Sequence, residues 1–205
     1  MFINSWQQLI VVIPALLLTI SFHEYAHGKL ASLLGDPTPA ATGRLSLNPL
    51  KHLDPIGTLM LILVGFGWAK PVQVNPSFFQ GNKLRGMMYV GLAGPGMNLV
   101  LAYLAAVALH FIPSGGLLFL FFYMLLWYNA MLAIFNLIPI PPLDGSRVLA
   151  GLLPPKAGLF IYRLEQYGPV LLFILLITGI VGRILMPAVQ FIINLFLTLA
   201  GYTLF

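Results

Sequence analysis

His23-Glu24-Tyr25-Ala26-His27 sets two imidazoles four positions apart with a carboxylate between them. On a helix, positions i and i+4 lie on one face about 6 Å apart, so both rings can reach a single ion while Glu24 points beside it. That spacing suits zinc with a general base at its open position. Two histidines leave a catalytic zinc one ligand short, because such a site takes three protein groups plus water. The chain has no Cys, so neither a thiolate ligand nor a cysteine nucleophile is available, and the third group must be His or carboxylate.

The carboxylates outside the motif are few. Asp36 and Asp54 each precede a proline in polar connectors and read as turn formers. Glu165, between Arg163 and Gln166, reads as a solvated interfacial charge. Asp144 differs, because it closes the run Asn136-Leu137-Ile138-Pro139-Ile140-Pro141-Pro142-Leu143-Asp144-Gly145. Its prolines remove backbone donors and forbid regular helix, so an extended chain is expected at membrane depth, where it needs protein or a wet cavity around it. Such a segment can hand a carboxylate to an ion held by the first helix. Zn2+, one carboxylate and one hydroxide sum to zero charge, which lets the assembled centre sit at low dielectric. Glu24 could then take a proton from water and pass it to a leaving amine, so amide hydrolysis follows from these parts. His52 reads as a loop histidine bonded to backbone, and His110 as a neutral interfacial side chain.

The elements that must position these groups are apolar. Of 205 residues 60% are hydrophobic and only 7% charged, against about 25% charged in a soluble domain. Mean hydropathy is +0.96, so soluble and disordered classes are excluded and an integral membrane protein remains. The pattern predicts an all-α polytopic fold in a single domain over 1–205, with about five spans near 6–34, 88–112, 117–137, 167–185 and 187–204. A membrane-associated segment near 56–74, strand-like or re-entrant, is expected between the first and second spans because Ile56–Gly67 is too short to cross. Residues 1–22 lack a basic n-region and read as a retained span. The net charge of +5 lies beside apolar runs and is a topology signal rather than a nucleic-acid footprint. Tracing the alternation puts Lys29, Arg44, Lys51, Lys70, Lys83, Arg85, Arg147, Lys156 and Arg163 on one side and Arg183 on the other. By the positive-inside rule the motif end of the first span and Asp144 then face the cytosol.

Phe22-His23-Glu24-Tyr25-Ala26-His27-Gly28 together with Asn136, Pro139, Pro142 and Asp144-Gly145 resembles the site-2 protease family of intramembrane metalloproteases, in a minimal form without PDZ or CBS domains. The resemblance covers essentially the whole chain. It implies that His23, His27 and Asp144 hold one Zn2+ per chain, that Glu24 is the catalytic base, and that Asn136 helps orient the substrate or its oxyanion. Gly94-Pro95-Gly96-Met97-Asn98 resembles a pattern of the family's middle core helix and makes Asn98 a candidate substrate contact, although small residues there also permit close helix approach in any membrane bundle. Gly65-Phe66-Gly67-Trp68-Ala69-Lys70-Pro71-Val72 resembles the family's membrane-associated strands, which makes Trp68 a further candidate beside its plainer reading as an interfacial anchor.

The expected function is an intramembrane zinc endopeptidase of a prokaryotic cell membrane, cutting membrane-spanning proteins near the cytosolic leaflet. Its partners would be a transmembrane protein substrate and the lipid bilayer, without nucleic acid. The alternative is a divalent-metal transporter or metal-sensing membrane protein built on the same ligands. A transporter needs polar residues along a path to both faces, and the external half of each span is almost wholly apolar.

Overall fold

A computed structural model describes residues 6–64 and 69–202. Among these residues the helices run α1 (Trp6–Leu33), α2 (Thr38–Ala41), α3 (Pro55–Val64), α4 (Lys83–Phe111), α5 (Leu117–Asn136), α6 (Asp144–Leu152), α7 (Pro155–Leu164), α8 (Gly168–Ile177) and α9 (Ile180–Leu199). Five stretches are long and apolar enough to cross a bilayer: Leu9–Leu33, Lys83–Phe111, Leu117–Asn136, Pro155–Ile177 and Val181–Leu199. The chain is therefore an all-α, multi-pass membrane protein.

Helix α4 is the hub, packed against α1, α5, α6 and α9. Lipid offers helices no hydrophobic drive to associate, so close contact between small side chains has to hold them. Ala102, Ala105 and Ala106 of α4 and Ala130 of α5 supply it, all buried with Leu126 and Leu109. From α9 the residues Val181, Leu185, Val189, Ile193 and Leu197 complete that core. They recur every fourth position, so one stripe of α9 faces protein while Ile184, Phe191 and Leu199 face outward. A second cluster joins Val11, Val12 and Ala15 of α1 to Met124 of α5.

Several boundaries differ from the expectation. The second span starts at Lys83 rather than near residue 88, because the Asn82 side chain accepts from the Arg85 amide at 3.1 Å and caps the helix ahead of its apolar run. The last two spans were expected to part around Arg183 and Pro187. Instead both residues lie inside α9, and the break falls at Gly179, whose φ of 69° closes the preceding helix in the left-handed region. The fourth crossing is Pro155–Ile177, two helices joined by a 3₁₀ turn at Glu165–Tyr167, rather than 167–185.

Between the first two spans, residues 55–64 form the ten-residue helix α3, and the only pairing among the described residues is an isolated antiparallel bridge between Leu53 and Ala69. No strand forms over the described part of 56–74, since a single bridge gives neither chain a neighbour to extend with. Trp68, with residues 65–67, lies outside the described residues. After Ala69 the chain returns alongside the C-terminal part of α1. The Val72 amide donates to Glu24 Oε2 at 2.8 Å, and the Asn75 amide to Asp36 Oδ2 at 2.7 Å. Asp36 Oδ1 also accepts from the Thr38 amide at 2.9 Å, so this buried carboxylate ties the connector to α1 as well as forming a turn.

Candidate metal centre

His23 and His27 sit one turn apart on α1, and Asp144 opens α6; all three side chains are buried. The residues between α5 and α6 were expected to be extended, but they fold as consecutive turns. Ile140 donates to the Ile138 carbonyl at 2.8 Å, Leu143 to Ile140 at 2.9 Å and Ser146 to Leu143 at 3.0 Å. The prolines remove donors and leave the amides between them to close turns. Gly145 allows this folding, because a Cβ there would press on the carbonyl oxygens of Leu137 and Ile138. Gly91 lets α6 lie against α4: a Cβ would come 3.0 Å from the Asp144 carbonyl oxygen and 3.2 Å from Arg147 Cβ.

Three ligand-type atoms therefore converge from elements far apart in sequence. Asp144 Oδ2 stands 3.2 Å from His23 Nε2 and 3.1 Å from His27 Nε2, and the two Nε2 atoms are 3.0 Å from each other. Among the described residues His23, His27 and Asp144 are the group with such convergence. The far side of each ring is already engaged. His27 Nδ1 lies 2.7 Å from the Val90 carbonyl, which can only accept, so that nitrogen carries the proton. His23 Nδ1 lies 2.5 Å from Asn98 Oδ1. Both neutral rings thus turn an Nε2 lone pair inward, where Asp144 Oδ2 is buried and accepts no hydrogen bond from the described residues.

Electron-pair donors packed this way require positive charge among them. A zinc ion would supply that charge without protons. Ligand atoms about 2.0–2.2 Å from one tetrahedral zinc lie about 3.3–3.6 Å apart, a few tenths of an ångström wider than the separations here. The donor set and its spacing fit. Gly94 completes the cradle: a Cβ there would press on His27 Nε2 and lie 2.6 Å from His23 Cε1.

The remaining candidates fall in different places. Glu24 is partly exposed, one residue beyond His23, with Oε2 held by Val72. Asn98 is wholly buried behind His23, its amide nitrogen committed to neighbouring spans and its oxygen facing His23 Nδ1. Asn136 is half-buried and donates to the Leu132 carbonyl at 3.0 Å. Arg147, which sequence reasoning passed over, places Nη1 3.6 Å from Asp144 Oδ1 and Nη2 3.6 Å from Glu165 Oε1. Glu165 is thus paired rather than merely solvated. Thr19 and Asn129 were also missed; a polar residue within an apolar run, charge-free in the case of Asn129, was the available signal. His52 behaves as read, with Nε2 2.6 Å from the Ser46 carbonyl.

A buried two-histidine, one-aspartate cluster among apolar helices, with the glutamate of the same helical motif beside it, fits the zinc-plus-general-base arrangement of a metalloprotease. Known proteins agree. The description "Peptidase family M50" matches residues 112–178, the part that carries Asn136 and Asp144. The protein named "Putative zinc metalloprotease YwhC" of Bacillus subtilis (strain 168) is 37% identical over 185 residues, covering 86% of this chain and 84% of that one. "Putative zinc metalloprotease Rip2" of Mycolicibacterium smegmatis is 31% identical over 186 residues, 85% of this chain and 69% of its own. The protein of the same name from Mycobacterium tuberculosis (strain H37Rv) is 31% identical over 173 residues, 81% of this chain and 66% of its own. No solved structure matches significantly. The chain belongs to peptidase family M50.

Proposed function

We propose that the chain is an intramembrane endopeptidase that hydrolyses a peptide bond of a membrane-spanning protein near the cytosolic leaflet, with one zinc per chain held by His23, His27 and Asp144. The observation that carries the reading is the convergence of His23 Nε2, His27 Nε2 and Asp144 Oδ2 to within 3.2 Å of one another inside the helical bundle. Bound zinc supplies Lewis acidity, bringing the pKa of a water to about 7 and polarising a carbonyl.

The chain's own groups do the rest. Glu24 takes the proton from water at its carboxylate and delivers it to the departing amine. Val72 N–H, 2.8 Å from Oε2, fixes that carboxylate's orientation. His23 and His27 keep their own protons on Nδ1, committed to Asn98 and Val90, so neither ring competes for the transferred one. Asn136, just ahead of the turns that carry Asp144, is the proposed contact for substrate or its oxyanion. A helical substrate hides its carbonyls in its own hydrogen bonds, so it has to unwind locally before the site can engage it.

The site faces the cytosol of a bacterial cell in this reading, on the strength of eight Lys and Arg in the connectors and span ends on that side, Arg163 now lying inside the fourth crossing, against Arg183. Because the natural chain has no Cys, a single cysteine introduced at exposed Lys51 can be labelled cleanly from one side of sealed inverted vesicles. The activity itself is tested by incubating the purified chain with a transmembrane test substrate in proteoliposomes. Cleavage by the natural chain and none by Glu24→Gln is expected. Equal cleavage by both would remove the mechanism.

A further inference from the structure

Behind His23 a chain of hydrogen bonds runs deeper than the metal group itself requires. Thr19 of α1, Asn98 of α4 and Asn129 of α5 are all wholly buried, and they join three spans. Two backbone carbonyls, which can only accept, fix how both amides are turned. Asn98 faces the Thr19 carbonyl at 3.2 Å, so the atom there is Nδ2, whose other hydrogen goes to Asn129 Oδ1 at 2.7 Å. Asn129 Nδ2 likewise faces the Leu125 carbonyl at 2.8 Å and gives its second hydrogen to Thr19 Oγ1 at 2.8 Å. The Thr19 hydroxyl donates to the Ala15 carbonyl at 2.8 Å, so its lone pair is free to receive. Every donor finds an acceptor, and the chain can be written in one direction only. It ends with Asn98 Oδ1 toward His23 Nδ1 at 2.5 Å.

We propose that Asn129, braced by Thr19, is a positioning residue for His23: it holds Asn98 with its oxygen outward and so keeps the proton of His23 on Nδ1 and the lone pair on Nε2. The inference rests on the reading above, that His23 is a zinc ligand. Plain interhelical glue would tolerate either amide orientation. Here the flipped Asn98 would set its oxygen against the Thr19 carbonyl and offer an N–H to His23, which pushes the ring proton to Nε2 and blocks the ligand. Partners behind a metal-bound histidine typically matter about 10–100-fold in metal affinity.

The test is zinc affinity of the detergent-purified full chain, read by competition with a chromophoric chelator, with thermal unfolding of the metal-free protein as the fold control. Asn129→Leu should bind zinc about tenfold more weakly. Asn129→Asp should recover part of that affinity, because a buried carboxylic acid stays protonated, accepts from Asn98 and donates through its single O–H to one of the two acceptors, Thr19 or Leu125. Unchanged affinity in Asn129→Leu, or equal loss in both variants, overturns the proposal. Should Asn129→Leu not fold, Thr19→Val, which keeps the shape and loses the acceptor, takes its place: weaker binding rescued by Thr19→Ser supports the inference, and unchanged binding overturns it. His23→Ala separates the two levels. If His23→Ala binds zinc as tightly as the natural chain, the ligand reading fails and this inference with it; if only His23→Ala loses zinc, this inference alone fails.

Discussion

His23 Nε2 and His27 Nε2 face each other at 3.0 Å, and each ring has committed its proton to a partner on the opposite side. Two lone pairs so placed, with the Asp144 carboxylate closing the third side, repel unless a cation lies among them. The α1 spacing brings the rings together. Gly94 on α4 makes the room, and the turns ahead of α6 deliver the carboxylate.

Removing any one of the three should empty the site. His23→Ala, His27→Ala and Asp144→Ala are each expected to purify with little zinc, read by inductively coupled plasma mass spectrometry, and to cleave nothing. Zinc content equal to the natural chain in any of them would remove that residue from the ligand set.

Glu24→Gln separates holding the metal from using it. The amide keeps an oxygen for the Val72 N–H but cannot take a proton. Zinc content should be unchanged, while kcat falls by at least about 10²–10⁴-fold, the usual worth of a general base.

Space at the cradle gives a steric test with a built-in control two residues away. Gly94→Ala drives a methyl group against both imidazoles, whereas nothing lies within 4 Å of a Cβ at Gly96. Gly94→Ala should lose zinc and activity together, and Gly96→Ala should keep both. Equal behaviour of the two would mean that the rings are not seated against α4.

Stripping the metal should also loosen the fold, since an ion that binds only the assembled ligands stabilises the native state by mass action. At a thousandfold excess over Kd the linkage amounts to about 4 kcal/mol. A strong chelator should therefore abolish cleavage and lower Tm, and added zinc should restore both. In Asp144→Ala, chelator should leave Tm unmoved.

The span count and the chemistry were legible in the sequence because both depend on residue type at short spacing: uninterrupted apolar runs, and His-x-x-x-His on one helix face. Asp144 could be singled out because few acidic residues exist and one closes a proline-rich run. What surrounds the ligands was much less visible. Asn98 looked like a substrate contact, and only the packing of α1, α4 and α5 shows its amide spent behind His23. Arg147 lies i+3 from Asp144 on α6, but its contact with Glu165 and those of Asn129 with Asn98 and Thr19 run between elements, where sequence spacing carries no distance information. The break at Gly179 was missed because Arg183 and Pro187 are stronger punctuation on paper, yet lipid-embedded helices accommodate an internal proline when neighbours satisfy the backbone.

Zinc K-edge X-ray absorption on the purified natural chain, set beside His23→Ala, tests the central claim most directly. The account predicts two imidazole nitrogens and at least one carboxylate oxygen at about 2.0–2.2 Å, with the imidazole signal of any residual zinc reduced in the variant. Zinc absent from the natural chain, or an identical spectrum from both proteins, would contradict it.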